Sequence, residues 1–192
     1  MFILLAAGVH IGVALGLIGI AGTTIVTGFE AAIWGAVDAT YYKITSYELI
    51  TIPLFVIMGF LAAGGGMSSK LYDVLRYWTG QLKCGLGFAT VASCAAFGTV
   101  TGASIATASV FSRISAPEMR RHGYDKKLAY GITTAGGMIG MLIPPSILMV
   151  VYGVLAGESI GKLLIAGIAP GVIVSAVFCV GIMLMVKLKP SL

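Results

Sequence analysis

Charge is absent from long stretches of this chain, and that spacing restricts its fold more than any motif does. No Asp, Glu, Lys or Arg occurs in 1–29, 49–69, 84–112, 128–157 or 163–186. A spanning helix needs about 20 apolar residues, so each stretch is long enough to cross a bilayer. Of the 192 residues, 58% are hydrophobic and 10% charged. Soluble domains sit near about 45–50% and roughly 25%, and one of this size leaves roughly 30% of its unfolded surface wet. The same figures exclude disorder. The expected fold class is an all-α polytopic membrane protein.

The net charge of +5 does not point to nucleic acid, because the twelve Lys and Arg sit in short runs between uncharged stretches. Cys84, Cys94 and Cys179 lack CxxC spacing and are odd in number. They predict neither a disulfide framework nor a zinc site, but small packing residues. Met1–Phe29 has no basic leading region and is too long for a signal core, so it reads as a retained helix.

The segments between the stretches are unequal in sign. Residues 30–48 carry Glu30, Asp38 and Glu48 against Lys43. Residues 70–83 carry Lys70, Arg76 and Lys83 against Asp73. Residues 113–127 carry Arg113, Arg120, Arg121, Lys126 and Lys127 against Glu118 and Asp125, and Lys187 and Lys189 follow later. The positive-inside rule places 70–83, 113–127 and the C-terminal lysines in the cytoplasm, with 30–48 outside. With both its flanks inside, 84–112 must enter and return on one side.

Gly98-Thr-Val-Thr-Gly-Ala-Ser104 lies at the middle of that stretch. Two arms of ~13 residues would each reach ~20 Å, just past the midplane of a ~30 Å core. Non-helical backbone at that depth must be buried in protein or line an aqueous cavity. The alternative is one crossing helix with a Gly98-xxx-Gly102 packing face. A second interruption lies at Gly136-Gly-Met-Ile-Gly-Met-Leu-Ile-Pro-Pro-Ser146. Prolines remove amide donors and bias the preceding residue to extended geometry, giving either an unwound helix or a kink. Interrupted apolar segments of this kind mark binding sites in secondary transporters.

Other features are plainer. Gly8, Gly12 and Gly16 predict a close-packing helix face. Residues 68–80 predict an amphipathic interfacial helix capped by Ser68 or Ser69, with Leu71, Val74, Leu75 and Trp78 on its apolar face. His10 and His122 stand alone, without a second ligand or nucleophile at useful spacing. The division expected is 1–83 (spanning helices, acidic external link, cytoplasmic interfacial helix), 84–112 (re-entrant hairpin) and 113–192 (basic loop, broken helix, final span).

Several runs together resemble the large membrane subunit of the tripartite ATP-independent periplasmic (TRAP) transporters. They are Thr51-Ile-Pro-Leu-Phe55, Ala95–Ala108, Pro117–Asp125, Ala135–Ser146, Tyr152-Gly153 and Ser159–Lys162, in the family's order and at its intervals. The resemblance implies half of a permease for a sodium-driven importer of small organic acids such as dicarboxylates, sugar acids, keto acids or sulfonates. It implies an elevator built from two inverted repeats, each with a re-entrant hairpin and a broken helix, in a bacterial or archaeal cytoplasmic membrane. The partners implied are the complementary C-terminal half, a small membrane subunit, an extracytoplasmic solute-binding protein and membrane lipid. The family's large subunit is about twice this length, so the chain reads as one repeat: a fragment, a split product or a relic. Where the family often carries a run of serines, this chain has Thr101-Gly102-Ala103-Ser104, and Ala103 lacks the hydroxyl.

No charge-free stretch holds a carboxylate, so a proton relay of the usual kind is not expected. Neutral oxygens remain. Candidate Na⁺ ligands are the hydroxyls of Thr99, Thr101, Ser104 and Ser146 and carbonyls freed around Gly98, Gly102, Gly140 and Pro144. Candidate substrate contacts are Thr101, Ser104, Pro145 and Ser146, where helix N-termini would favour an anion. The bland alternative for each hydroxyl is a bond back to its own helix. Beyond the coupling ion no cofactor or metal is expected. A non-transporting scaffold is the rival reading; an enzyme is not expected, since no nucleophile–base or paired-carboxylate set is present.

Overall fold

The computed structural model describes residues 2–82 and 84–188, so Lys83 and Lys189 lie outside the described residues. All regular structure among the described residues is helical. The chain divides into two compact units, residues 1–47 and 48–192.

The first unit contains α1 (Phe2–Ala6), α2 (Ile11–Thr27) and α3 (Phe29–Ile44), with α2 packed on α3. The single helix expected over 1–29 is therefore corrected to two. Gly8 adopts φ 80°, which L side chains rarely tolerate, and the amides of Ala7 and Gly8 close the end of α1. His10 then starts α2, its Nδ1 accepting the Gly12 N–H at 3.4 Å. The expected glycine face is also revised. Gly8 lies between helices, and a methyl added at Gly16 would meet nothing within 4 Å.

A 3₁₀ turn (Tyr47–Ile50) begins at the last residue of the first unit and leads, in the second, into α4 (Thr51–Gly64), followed by α5 (Met67–Thr79) and α6 (Gly85–Thr101). Then come α7 (Ser104–Arg121), α8 (Lys126–Ile139), α9 (Ile147–Ala156) and α10 (Ile160–Leu188). Among the described residues, two helical segments are long and apolar enough to cross a membrane, Tyr47–Gly64 and Ile160–Lys187. Isoleucines 165 and 173 of α10 are 72% and 62% exposed, an apolar surface that suits lipid.

α6 is the hub. Eleven of its 17 residues are buried, and it packs on α4, α5, α7, α8 and α10. Its run of Gly, Ala, Ser and Thr lets backbones approach, which matters where lipid removes the hydrophobic drive between helices. α6 and α7 fold back on each other. The Phe97 and Phe111 rings meet edge to face at 5.6 Å, the Thr101 and Thr107 hydroxyls at 2.9 Å, and Thr90 Oγ1 lies 3.9 Å from Met119 Sδ. All three pairs centre within a residue of Ser104, so the helices run antiparallel. Their lengths of 17 and 18 residues exceed the ~13 expected. The helix does not stop where charge begins, and α7 continues through Pro117 to Arg121. Gly123, φ 91°, turns the chain two residues beyond its end, and Asp125 caps the next helix by accepting the Lys127 N–H at 2.7 Å.

α5 corrects the expected cap. Its N-cap is Gly66, φ 73°, while Ser69 donates to the Gly66 carbonyl. The side against the protein carries buried Ser68 and Tyr72 and half-buried Leu71 and Leu75; Val74 and Trp78 are 52% and 74% exposed. An apolar stripe on an interfacial helix is shared between protein and lipid, so it does not say which part packs inward. Arg76 Nη1 reaches Glu118 Oε1 at 2.6 Å and fastens α5 to the end of α7.

Candidate functional site

The two interruptions read from the sequence come together in the second unit. α6 ends at Thr101, and Gly102 takes the left-handed conformation (φ 60°, ψ 8°) with its N–H on the Gly98 carbonyl at 2.7 Å. Ala103 is extended, and α7 begins at Ser104. In the other interruption α8 stops at Ile139, residues 140–146 are not helical, and the Pro144–Pro145 bond is cis. Ser146 is extended and α9 begins at Ile147.

The Ile147 N–H donates to the Gly102 carbonyl at 3.2 Å, so one turn holds the other. A methyl built on Gly102 would lie 3.2 Å from the Pro145 carbonyl oxygen. One turn of helix earlier, a methyl on Gly98 would collide with the Gly140 Cα and lie 2.7 Å from the Gly140 oxygen. A methyl on Gly137 would lie 2.6 Å from the Ala108 Cβ. Only glycine permits these approaches. The carbonyl ends of α6 and α8 and the amide ends of α7 and α9 thus flank two adjoining turns.

The candidate residues divide accordingly. Gly98 meets Gly140, and Gly102 meets Pro145 and Ile147. Thr101 is buried, with Oγ1 2.9 Å from Thr107 Oγ1 and 3.4 Å from the Phe97 carbonyl. Thr107 Oγ1 also lies in donating reach of the Ala103 carbonyl, at 2.9 Å. Either hydroxyl can donate to the other, and in both arrangements Thr101 Oγ1 keeps at least one lone pair free to accept. Thr99 donates back to Ala96 at 2.7 Å. Ser104 holds the first helical position of α7, and Pro144 sits half-buried in the second turn. Ser146 is fully buried, and its hydroxyl has no hydrogen-bond partner. Leaving such a group unsatisfied costs about 1–3 kcal/mol, so a polar ligand there would be favoured.

Other residues of the site are not legible in the sequence. Thr107 positions Thr101, and Gly59 of α4 lies against it, a methyl there falling 3.1 Å from Thr101 Cγ2. Gly171 of α10 admits Ile143, whose Cγ1 would lie 2.6 Å from an added methyl. The neighbouring Gly167 admits Met149, with the Leu142 carbonyl at 3.1 Å. The Gly-Ile-Ala-Pro-Gly run at 167–171 is the signal that could have drawn attention to α10.

No Asp, Glu, Lys, Arg or His lies in the stretches 84–112 or 128–157 that build the site. Among the described residues no cluster of three His, Cys, Asp or Glu could hold a metal. The chemistry offered is that of hydroxyls, carbonyls and helix dipoles. It suits binding of a bare cation by oxygens and of an anion by amides.

Comparison with known proteins identifies the family. The family described as tripartite ATP-independent periplasmic transporter, DctM component, matches residues 1–191. The chain is 34% identical over 151 residues to the sialic acid TRAP transporter permease protein SiaT of Haemophilus influenzae, covering 77% of the chain and 24% of that protein. It is 36% identical over 169 residues to the isethionate TRAP transporter permease protein DctMQ of Oleidesulfovibrio alaskensis, covering 88% and 26%. It is likewise 36% identical over 143 residues to the C4-dicarboxylate TRAP transporter large permease protein DctM of Pseudomonas aeruginosa, covering 74% and 34%. The chain therefore spans about a quarter to a third of the length of these relatives. By a match along nearly its whole length, the chain belongs to the DctM component family of the TRAP transporters.

Proposed function

We propose that this chain is the N-terminal half of the membrane permease of a sodium-coupled importer of small organic acids. In this reading α6 and α7 form a re-entrant hairpin, and α8 and α9 are the two parts of a broken helix. They move together as half of an elevator. The observation that carries the reading is the Gly102–Ile147 hydrogen bond, which brings both turns, and four helix ends, to one place.

Thr101, Ser104 and Ser146, with carbonyls near Gly98, Gly102, Gly140 and Pro144, supply the oxygens for Na⁺. Thr99 contributes through the lone pairs left by its bond to Ala96. The amide ends of α7 and α9, at Ser104 and Pro145–Ser146, receive the acid group. The relatives are named for sialic acid, isethionate and C4-dicarboxylates, each carrying a carboxylate or a sulfonate. The remaining parts are the complementary half, a small membrane subunit and an extracytoplasmic binding protein. The assembly sits in a bacterial or archaeal cytoplasmic membrane, and a non-transporting scaffold is the reading it displaces.

Sodium dependence tests the site. In a complete permease, Thr101→Val keeps the branched shape and removes the oxygen. The loss should raise the sodium concentration for half-maximal uptake roughly tenfold or more, equivalent to ~1.5–3 kcal/mol. Ser104→Ala should act similarly and Ser146→Ala more weakly, while Ala103→Ser should be tolerated. Thr107→Val separates positioning from ligation, because it leaves the Thr101 oxygen in place. Unchanged sodium dependence in both Thr101→Val and Ser104→Ala would reduce the turn to packing.

Orientation has its own test. In a background lacking Cys84, Cys94 and Cys179, single cysteines at Ser69 and Arg113 should label from the cytoplasm, and one at Asp38 from outside. Labelling of positions 69 and 113 from opposite sides would make 84–112 a crossing segment and remove the re-entrant hairpin.

A further inference from the structure

α5 is joined to its two neighbours in the chain in unequal ways. Tyr72 is 2% exposed and shares one core cluster with Ala89 and Phe97 of α6 and Phe111 of α7, and Leu71 and Leu75 pack against it. Arg76 adds the ion pair to Glu118 of α7, a side chain only 18% exposed. The link from α5 into α6 is fastened as well. The Gly80 N–H donates to the Arg76 carbonyl at 2.7 Å, Leu82 to Thr79 at 2.9 Å, and Gly85 to Leu82 at 2.9 Å. Thr79 Oγ1 lies 2.8 Å from the Gly85 carbonyl, and a methyl on Gly85 would collide with the Thr79 oxygen. This end has no slack.

The other end is built from glycine. Gly64 closes α4, and Gly65 and Gly66 lead into α5. Gly66 takes φ 73°, and no side chain caps the helix that it starts. Methyls at Gly64 and Gly66 would have nothing nearer than 4.0 Å. Glycine leaves the backbone freer than any other residue, and a few positions at the ends of elements can absorb a hinge motion. α4 also meets the α6–α7 pair shallowly. Its contacts are Gly59, against Thr101, and the half-buried Ala62 and Ala63 on the cluster around Tyr72, while Leu54, Phe60 and Leu61 are exposed. Small residues raise no ridge to interlock, so this contact permits sliding. The buried tyrosine and the ion pair of α5 do not.

We infer that α5 travels with α6 and α7 as one body, which turns against α4 at Gly64–Gly66. A helix pinned at one end and joined through glycine at the other bends where it is joined through glycine. The inference rests on the moving hairpin of the proposed elevator, and it says where that motion is taken up.

Spin-label distances in the complete permease, freed of its native cysteines and reconstituted with its small subunit, test the hinge. Lys70→Cys with Arg120→Cys places both labels inside the proposed body, and Leu54→Cys with Tyr77→Cys places them across the hinge. Distances are read in choline chloride, in sodium chloride, and in sodium chloride with succinate, isethionate or sialic acid. Between these conditions the Leu54–Tyr77 distance should shift by about 5 Å or more, the rise of one helical turn, while Lys70–Arg120 stays fixed. Gly64→Val fills open space and stiffens the joint. It should slow uptake of the labelled acids roughly threefold or more, with the thermal unfolding temperature unchanged. A comparable shift in Lys70–Arg120 would overturn the inference and place a joint between α5 and α7. Unchanged uptake in Gly64→Val would overturn it too. If neither distance moves while uptake proceeds, the elevator reading itself falls, and the hinge with it.

Discussion

Gly98→Ala in the complete permease is expected to abolish uptake through loss of packing, although only one methyl is added. The methyl would run into the Gly140 backbone, with its oxygen 2.7 Å away. A clash with a flexible side chain can relax by rotation, but backbone held by the next turn cannot. Overpacking of a well-filled interior typically costs ~1–3 kcal/mol and occasionally more. A rigid neighbour puts this case at the upper end, at about 3 kcal/mol or beyond. The reverse substitution, Gly140→Ala, meets the Gly98 Cα at 2.8 Å and should be comparably harmful. Gly16→Ala and Gly22→Ala supply the contrast, since neither methyl has a neighbour within 4 Å. Thermal unfolding of the purified complex, read beside uptake, checks the ranking. Equal stability of Gly98→Ala and Gly16→Ala would mean that the two turns do not depend on close approach.

The second large effect is all or none. This chain by itself is expected to give no sodium-dependent uptake into liposomes. Co-expression with the complementary half, the small subunit and a binding protein should restore it. A midplane site in transporters of this kind forms at the interface of two repeats, and this chain supplies one pair of turns. Robust uptake by the 192-residue chain alone would sink the proposal, unless crosslinking showed an inverted dimer standing in for the second repeat.

Both interruptions were legible because their signals are local. Gly102 ends a helix by its own conformational freedom, and Pro144-Pro145 forces one to stop by lacking amide donors. The antiparallel return of α7 on α6 was reached from charge alone, as the only path that keeps two basic segments on one side. What stayed hidden is what depends on contact between distant parts of the chain. Gly59, Gly167 and Gly171 look like any other glycines in apolar helices until Thr101, Met149 and Ile143 are seen against them. Thr107 is one hydroxyl among many in α7. At α5 the difficulty was different: Val74 and Trp78 are apolar and still face outward, because lipid accepts what a soluble core would have claimed. The break at Gly8 is not distinctive in the sequence, because a glycine every fourth residue reads equally well as a smooth packing face.

The tie between Gly102 and Ile147 joins backbone to backbone, and so it is blind to side-chain identity. Drift at neighbouring positions, such as alanine in place of serine at 103, can proceed without touching it. Among single substitutions at residue 147, only proline deletes the donor outright. Comparing sequences would therefore leave this fastening out of view, since nothing selects a particular letter there. A lineage could replace the hydroxyls proposed here as ligands and still inherit the clasp beside them.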